Sequence, residues 1–176
     1  RGRALLRTTR PGLQWFRSLL LIFCTIAFFT AIQYMPLADA VAISFVSPLM
    51  VTALSVPLLG EAVGWRRWSA VAVGFIGAMI IVRPGVEAMH WAVWLLLAMA
   101  LAYALYQITT RMLSGKDDPI TTLFYTGFVG AGIMSLAVPF FWQSPASPEL
   151  WLMLVALGLM GGVGHYLLIK SFEFAP

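Results

Sequence analysis

Charged side chains are scarce in this 176-residue chain, since Asp, Glu, Lys and Arg together make up 10% of it, against roughly a quarter in soluble globular proteins. Hydrophobic residues make up 61%. A soluble core of this size could not bury so much apolar surface. The composition therefore excludes an ordinary soluble domain and indicates a membrane protein.

Cysteine is almost absent as well. Cys24 is the only one, so the chain offers neither an internal disulfide nor a thiolate metal cluster. It lies within an apolar stretch, where a single cysteine is typical of a small packing residue.

Signatures of enzymes are also missing. No Gly-Lys-Thr or Gly-Lys-Ser sequence occurs, which argues against a P-loop and against ATP as the direct energy source. No serine has the glycine-flanked setting, paired with a histidine, that an intramembrane protease needs. Asp117 and Asp118 form one acidic pair where metal-dependent diphosphate chemistry needs two, and they fit a solvated turn before Pro119. We predict no enzymatic activity, no cofactor and no metal site.

Six uncharged stretches run along the chain, at 18–38, 40–60, 68–82, 88–110, 119–148 and 150–169. Most contain the about 20 residues that a helix needs to cross the hydrocarbon layer. The short stretch 68–82 follows Trp65, Arg66 and Arg67, whose long side chains can reach the headgroups and extend the span. The runs are solidly apolar and lack the alternation of barrel strands. The predicted fold is an all-α polytopic membrane helix bundle with six spans.

The basic residues between the stretches indicate the orientation. Six crossings place the N-terminal segment, the connectors 61–67 and 111–118 and the end near Lys170 on one side. That side holds ten of the eleven basic residues, and the other side holds only Arg83. Because Lys and Arg accumulate in cytoplasmic connectors, we predict that the N-terminal segment is cytoplasmic.

The same charges bear on two classes of partner, membrane lipid and nucleic acid. The basic N-terminal segment can contact anionic membrane lipid. The positive charges lie beside spans and lack a basic-aromatic pattern, so nucleic acid is not an expected partner.

Segments 31–36 and 171–176 share one pattern: small, apolar, polar, aromatic, apolar, proline. By the crossing count the first runs outward and the second inward, so a true repeat would have inverted topology, as in many transporters. The spacing predicts five helices per repeat and a parent of about ten spans, with two missing from each end. Residues 1–85 would then hold the last three helices of the first repeat, and 86–176 the first three of the second.

The second stretch contains Pro48 and Pro57, each of which removes an amide donor and releases a carbonyl four residues earlier. For Pro48 that carbonyl belongs to Ser44, and Ser47 is adjacent. Lipid-facing helices rarely tolerate such a defect. We favour a kinked helix lining a polar cavity over a simple packing distortion.

Other polar side chains are candidates for the same cavity. Tyr103, Tyr106 and Gln107 share one helical face of the fourth stretch, where cavity lining and interhelical hydrogen bonding are equally consistent with the pattern. Gln33, near the end of the first stretch, could join them at a different depth.

His165 lies at helical spacing from Gly158, Gly161 and Gly162, so it faces another helix. By the predicted spans it is the one ionisable residue deep within the membrane, which makes proton coupling or substrate contact a hypothesis. A neutral, hydrogen-bonded histidine between helices is the favoured alternative.

Three further features are structural or gating candidates. Pro36 should end the first helix and Asp39 should cap the next. Glu61 should form a cap or a salt bridge with Arg66 or Arg67, or a cytoplasmic gate that breaks as the protein changes state. Small residues four apart predict close helix packing at three stripes: Ala70, Gly74 and Ala78; Gly127, Ala131 and Ser135; Gly158 and Gly162.

Several motifs occur in a fixed order: Pro-Leu-Ala-Asp-Ala at 36–40, Ser-Pro-Leu at 47–49, Leu-Gly-Glu at 59–61, Gly74 and Gly77, and Arg-Pro-Gly at 83–85. In this order and spacing the chain resembles the EamA-type ten-helix members of the drug/metabolite transporter superfamily. The resemblance implies the third to eighth of ten helices. It also implies transport of a small metabolite across the bacterial inner membrane without nucleotide hydrolysis.

The competing function is a non-transporting membrane scaffold or regulatory subunit, which a dry core of leucine and glycine would favour. Polar side chains on several inward faces favour transport by alternating access instead. No carboxylate lies within the predicted spans, which argues against an antiporter that binds cationic drugs on a buried glutamate. The expected partners are a small metabolite and membrane lipid, and a homodimer is left open.

Overall fold

The computed structural model describes residues 8–82 and 91–174. Within these ranges every regular element is a helix: α1 Pro11–Ala31, α2 Leu37–Ser44, α3 Ser47–Leu59, α4 Trp65–Val82, α5 Trp91–Leu113, α6 Pro119–Phe141 and α7 Pro148–Phe174. The predicted all-α fold is confirmed. The predictions on the basic residues at 1–7, the motif at 83–85, the boundary at 85/86 and the final Ala175-Pro176 lie outside the described residues.

Five of the described stretches are long and apolar enough to cross a membrane: α1, the pair α2 and α3 taken together over Leu37–Leu59, α5, α6 and α7. This confirms a polytopic helical membrane protein. The predicted short span 68–82 lies in α4, a helix of 18 residues that is not among the five. That α4 crosses the membrane stays a prediction.

The starts of α6 and α2 follow from local chemistry, but the cap predicted for α2 is wrong. Asp118 begins α6 as its N-cap, and its Oδ1 accepts a hydrogen bond from the backbone N of Ile120 at 2.7 Å. The predicted cap by Asp39 is wrong, because Pro36 takes the N-cap position of α2 with the extended backbone that this position needs. Asp39 instead lies in the first turn, where the helix dipole still favours its charge.

The described residues pack as two compact units, one made of 8–18 with 113–174 and the other of the residues between 19 and 112. In the second unit α5 contributes half of the buried core. That core consists of Cys24, Ala27 and Ala31 of α1, Ala40 and Ile43 of α2, and Ala92, Val93, Leu96, Met99 and Ala102 of α5. Cys24 is a packing residue, as predicted: its side chain is buried and its Sγ lies 3.5 Å from the carbonyl oxygen of Met99.

The small-residue stripes differ in their packing. A Cβ added at Gly74 would lie 2.8 Å from Cδ2 of Leu49, so the predicted close packing of α4 is confirmed at this position. At Gly127, Gly158 and Gly162 an added Cβ would meet nothing within 4 Å, and the prediction is wrong there within the described chain. The reason is an open groove of about 340 Å³ between α6 and α7, on which Gly158 and Gly162 lie.

Candidate functional site

The second span has a break in its regular α-helix, which is a tight kink and not an unwound segment. α2 ends at Ser44 and α3 begins at Ser47, and Phe45 and Val46 between them keep right-handed helical backbone angles. Their amides donate to the carbonyl oxygens of Ala42 and Ile43 at 3.2 and 3.0 Å, as in a 3₁₀ turn. Pro48 is the second residue of α3, where a helix amide has no intrahelical acceptor, so its missing donor costs little. The predicted kink near Pro48 is confirmed, and that it lines a polar cavity stays a prediction.

The side chains at the break divide into two groups. Val46 is buried and packs with Ala100 of α5, and Ser47 is buried beside it in sequence. Ser44 donates its hydroxyl to the carbonyl oxygen of Ala40 at 2.7 Å, within its own helix. Pro48 is exposed. Of the three predicted cavity residues here, Ser47 is the one whose side chain is buried.

A cavity of about 360 Å³ lies beside the break, within the range of about 300–1,000 Å³ that is typical of small-molecule sites. Its lining comes from α2, the turn, α3 and α4: Ala38, Val41, Ala42, Phe45, Leu49, Gly74 and Gly77. None of the predicted polar candidates lines it. The sequence signal for it was present in the spacing of Gly74 and Gly77, of which we had interpreted Gly74 as a packing residue and Gly77 only as part of the motif order.

The aromatic face of α5 forms as predicted. The rings of Tyr103 and Tyr106 stack with centroids 5.6 Å apart and an interplanar angle of 20°. Tyr106 is fully buried, Tyr103 packs against the core of its unit, and Gln107 is half-buried. The hydroxyl of Thr110 donates to the carbonyl oxygen of Tyr106 at 2.6 Å, so it serves its own helix.

Gln33 does not join this face. It is exposed in the turn that follows α1, next to Tyr34, whose ring packs against Trp91 at 4.8 Å between centroids. Tyr103 lies twelve residues further along α5 than Trp91, which is about 18 Å at the helical rise. The two parts of the predicted cavity therefore lie at different depths, Gln33 near the start of α5 and Tyr103 near its middle.

Asp117 lies in the turn before α6, as the sequence had suggested, and there it is half-buried and is a hub of hydrogen bonds. Its carboxylate accepts from the hydroxyl of Thr8, from the backbone N of Thr9 at 2.8 Å, from the hydroxyl of Thr9 at 2.9 Å and from Nε2 of Gln14 at 3.0 Å. Partial burial raises the pKa of Asp117, but these donors outweigh it and leave the pKa below its ordinary value.

Arg17 corrects a second prediction. The sequence placed it in the N-terminal connector, but α1 begins at Pro11 and Arg17 is fully buried within that helix. Its NH1 donates to the carbonyl oxygen of Thr122 at 3.1 Å and to the hydroxyl of Thr126 at 2.6 Å. His165, half-buried on α7, lies within electrostatic range of Arg17. His165 is thus not the one ionisable side chain within the spans, and its role in proton coupling stays a prediction.

The first turns of α1 have a polar inner face. Gln14, Arg17 and Ser18 stand at helical spacing and are all fully buried, whereas Trp15 and Phe16 between them are 47% exposed. A polar face turned inward and an aromatic face turned outward is the inverse of a soluble helix. This periodicity can be recognised in the sequence, and it would have predicted that Gln14, Arg17 and Ser18 face inward.

Glu61 forms an ion pair with a different partner from the one predicted. Its Oε1 lies 2.7 Å from NH2 of Arg111, and neither side chain is more than one-third exposed. Arg66 instead lies over the ring of Trp65 at 5.9 Å, and Arg67 is exposed. Arg111 is the partner because it lies in the last turn of α5, where the helix dipole also favours a cation.

Two contacts of this unit agree with the predicted crossings. The pair of Glu61 and Arg111 joins the connectors 61–67 and 111–118, which the crossing count places on one side. The contact of Tyr34 with Trp91 joins the residue just before the connector 35–39 to the start of α5, and the crossing count places both on the other side.

Comparisons with known proteins give a consistent pattern. A model described as the EamA-like transporter family matches residues 4–83 and again residues 90–176. The chain is 32% identical over 172 residues to an S-adenosylmethionine uptake transporter of Rickettsia bellii, covering 98% of this chain and 59% of that protein. It is 32% identical over 175 residues to a riboflavin transporter of Vibrio cholerae, covering 98% and 58%.

A third relative is named for the opposite direction of transport. The chain is 29% identical over 154 residues to a pseudopaline exporter of Pseudomonas aeruginosa, covering 84% of this chain and 52% of that protein. The chain thus spans a little over half the length of these curated relatives. No solved structure matches it.

Proposed function

Because the chain belongs to the EamA-like transporter family, we propose that it forms part of a carrier that moves a small metabolite across the bacterial inner membrane. The carrier works by alternating access and without ATP hydrolysis. Relatives named for S-adenosylmethionine uptake, riboflavin transport and pseudopaline export support a small-molecule substrate. A non-enzymatic role is consistent with this family.

The observation that carries the proposal is the kinked span of α2 and α3 beside its cavity. Helices interrupted within the membrane form substrate sites in many transporters, and such irregularities are tolerated where they line a cavity. The cavity is bordered by Phe45 of the turn and by the side-chain-free surfaces of Gly74 and Gly77. This apolar lining favours an aromatic or aliphatic part of the substrate, and Ser47 is the predicted polar candidate at the break whose side chain is buried.

The two matches of the family model support a carrier built from two homologous halves that meet between residues 83 and 90. The proposed boundary at 85/86 lies in this interval. By the crossing count the halves have inverted topology, and the positive-inside rule places the N-terminal segment in the cytoplasm. Rocking of the halves would expose the site to each side in turn.

The test is transport by the intact protein in membrane vesicles, against a metabolite mixture, with and without a proton gradient. Gly77→Leu fills the cavity, and because nothing lies within 4 Å of an added Cβ at Gly77, folding should survive. Gly127→Leu is the matched control, a helical glycine that also has open space at its Cβ and lies on α6.

We expect Gly77→Leu to reduce saturable flux at least tenfold at normal membrane level, the loss that one misplaced or excluded substrate group can cause. Gly127→Leu should retain flux. Absence of gradient-sensitive or saturable flux for every solute would overturn transport in favour of a scaffold. Normal flux in Gly77→Leu would overturn the assignment of the site to this cavity.

A further inference from the structure

The first turns of α1 are tied to the α5–α6 turn and to α6 by a set of side chains that the proposed substrate site does not use. We propose that this set, called the Asp117 latch, closes the cytoplasmic side of the carrier and must open once in each transport cycle. It consists of Thr8, Thr9, Gln14, Arg17, Asp117, Thr122 and Thr126. The proposal rests on the proposed function and on the predicted orientation.

The closing contacts converge on one carboxylate. Asp117 accepts four hydrogen bonds from three residues that precede it by more than 100 positions. Hydrogen bonds to an ionised carboxylate are among the strong ones, and a carboxylate with four donors holds a definite geometry. Nε2 of Gln14 bridges this carboxylate to the hydroxyl of Thr122 at 3.1 Å. The first turn of α1 is therefore fastened to both the turn and the start of α6.

One feature of the closed latch favours its opening. Gln14 is fully buried, yet its Oε1 has no hydrogen-bond partner among the described residues, a penalty that water would remove. Arg17 is also fully buried, and opening would exchange its bonds to Thr122 and Thr126 for bonds to water. Closure gains the bonds to Asp117 and opening satisfies Oε1 of Gln14. Such opposing terms are what a two-state element needs.

Asp117 is a positioning residue in this scheme, since it acts through α1 and not on the substrate. Asp118 provides a matched control one residue away, because Asp118→Asn makes the same change in charge and asparagine caps a helix as well as aspartate does. Asp117→Asn replaces an acceptor of four donors by a group whose NH₂ faces those donors.

The experiment reports opening directly by thiol accessibility. Cys24→Ser removes the one thiol of this sequence, any further cysteine of the intact protein is replaced in the same way, and Ser18→Cys places a reporter at a fully buried position on the latch face of α1. A membrane-impermeant maleimide is then applied to the intact protein in inside-out vesicles and in right-side-out spheroplasts, and flux is measured in parallel.

We expect Asp117→Asn to raise the labelling rate in inside-out vesicles about tenfold, the change in population that the loss of one charge-assisted hydrogen bond produces. Asp118→Asn should label at the parental rate. Thr9→Val, at an exposed position that tolerates substitution, removes one donor and should give a smaller rise, so the test survives poor folding of Asp117→Asn.

Equal labelling of Asp117→Asn, Thr9→Val and Asp118→Asn would overturn the latch, as would a rise seen only from the spheroplast side. A purely structural role for Asp117 would lower the yield of folded protein without raising the labelling rate of what remains. If labelling responds as expected while no solute is transported, the latch is supported and the proposed function fails. The two failures are therefore distinguishable.

Discussion

Oε1 of Glu61 lies 2.7 Å from NH2 of Arg111, which joins the second residue after the end of α3 to the last turn of α5. Gly60 makes this possible, because its left-handed backbone at φ 70° ends α3 and turns the chain immediately before Glu61. The pair is partly exposed, so its contribution to stability is modest, and its value lies in fixing two helix ends together.

Replacing Glu61 with Gln tests whether this pair serves folding or gating. Because partly exposed pairs contribute about 0–1 kcal/mol, we expect Glu61→Gln to lower the midpoint of thermal unfolding by only a few degrees. Membrane yield should stay normal. Glu149→Gln, an exposed carboxylate in the first turn of α7, is the control. Normal yield with lost flux would identify a gate, and lost yield would identify a structural pair.

Gly60 itself allows a second prediction. A residue with a Cβ in the left-handed region costs about 1–2 kcal/mol, so Gly60→Ala should destabilise the protein by that amount. Gly64→Ala is the control, since Gly64 has no positive φ and open space at its Cβ. Thermal unfolding of the purified protein in detergent measures both. Equal midpoints for the two variants would contradict the role of the turn at Gly60.

The contact of Gly74 with Leu49 predicts a size limit on α4. We expect Gly74→Val to cost about 1–3 kcal/mol, because the added atoms meet Leu49 at less than van der Waals distance. Gly77→Val, one turn further on the same helix, meets nothing within 4 Å and should cost much less. Chemical denaturation in detergent distinguishes the two. Truncation of the partner by Leu49→Ala should partly rescue Gly74→Val.

Asp117 predicts a loss of stability in acid. Its pKa in the folded protein lies below the ordinary value of about 3.9, so the unfolded state binds protons more readily. The stabilisation is therefore complete above the ordinary pKa and is lost as pH falls through the lower, folded pKa. The difference in unfolding midpoint between the parent and Asp117→Asn should shrink over that acid range. A difference that is constant from neutral pH downward would contradict the prediction.

Much of the fold was predictable from the sequence, because helix spans depend on local composition. The break before Pro48 follows from the missing amide and the freed carbonyl. The partner of Glu61 was not predictable, since it depends on which helix ends meet. Sequence distance favoured Arg66 and Arg67, while packing brings Arg111 to the carboxylate.

The site was less predictable for a physical reason of the same kind. Polar residues were the obvious candidates, yet the cavity beside the break is lined by Phe45 and by small or aliphatic residues. A cavity forms where no side chain fills the space between helices. The spacing of glycines alone cannot distinguish a glycine that packs against a neighbouring helix from one that faces open space. Gly74 and Gly158 have the same sequence signal and opposite surroundings.

The turn at Phe45 and Val46 also bears on how much energy a conformational change needs. α2 has 8 residues and α3 has 13, which makes them rods of about 12 and 20 Å, neither long enough to cross a bilayer alone. Since the regular α-helix is already interrupted by the turn between the two rods, we expect each to tilt about this turn without melting a further helical turn. The work of reorientation is then confined to the repacking of side chains such as Val46 against Ala100, and the span can bend repeatedly without unfolding.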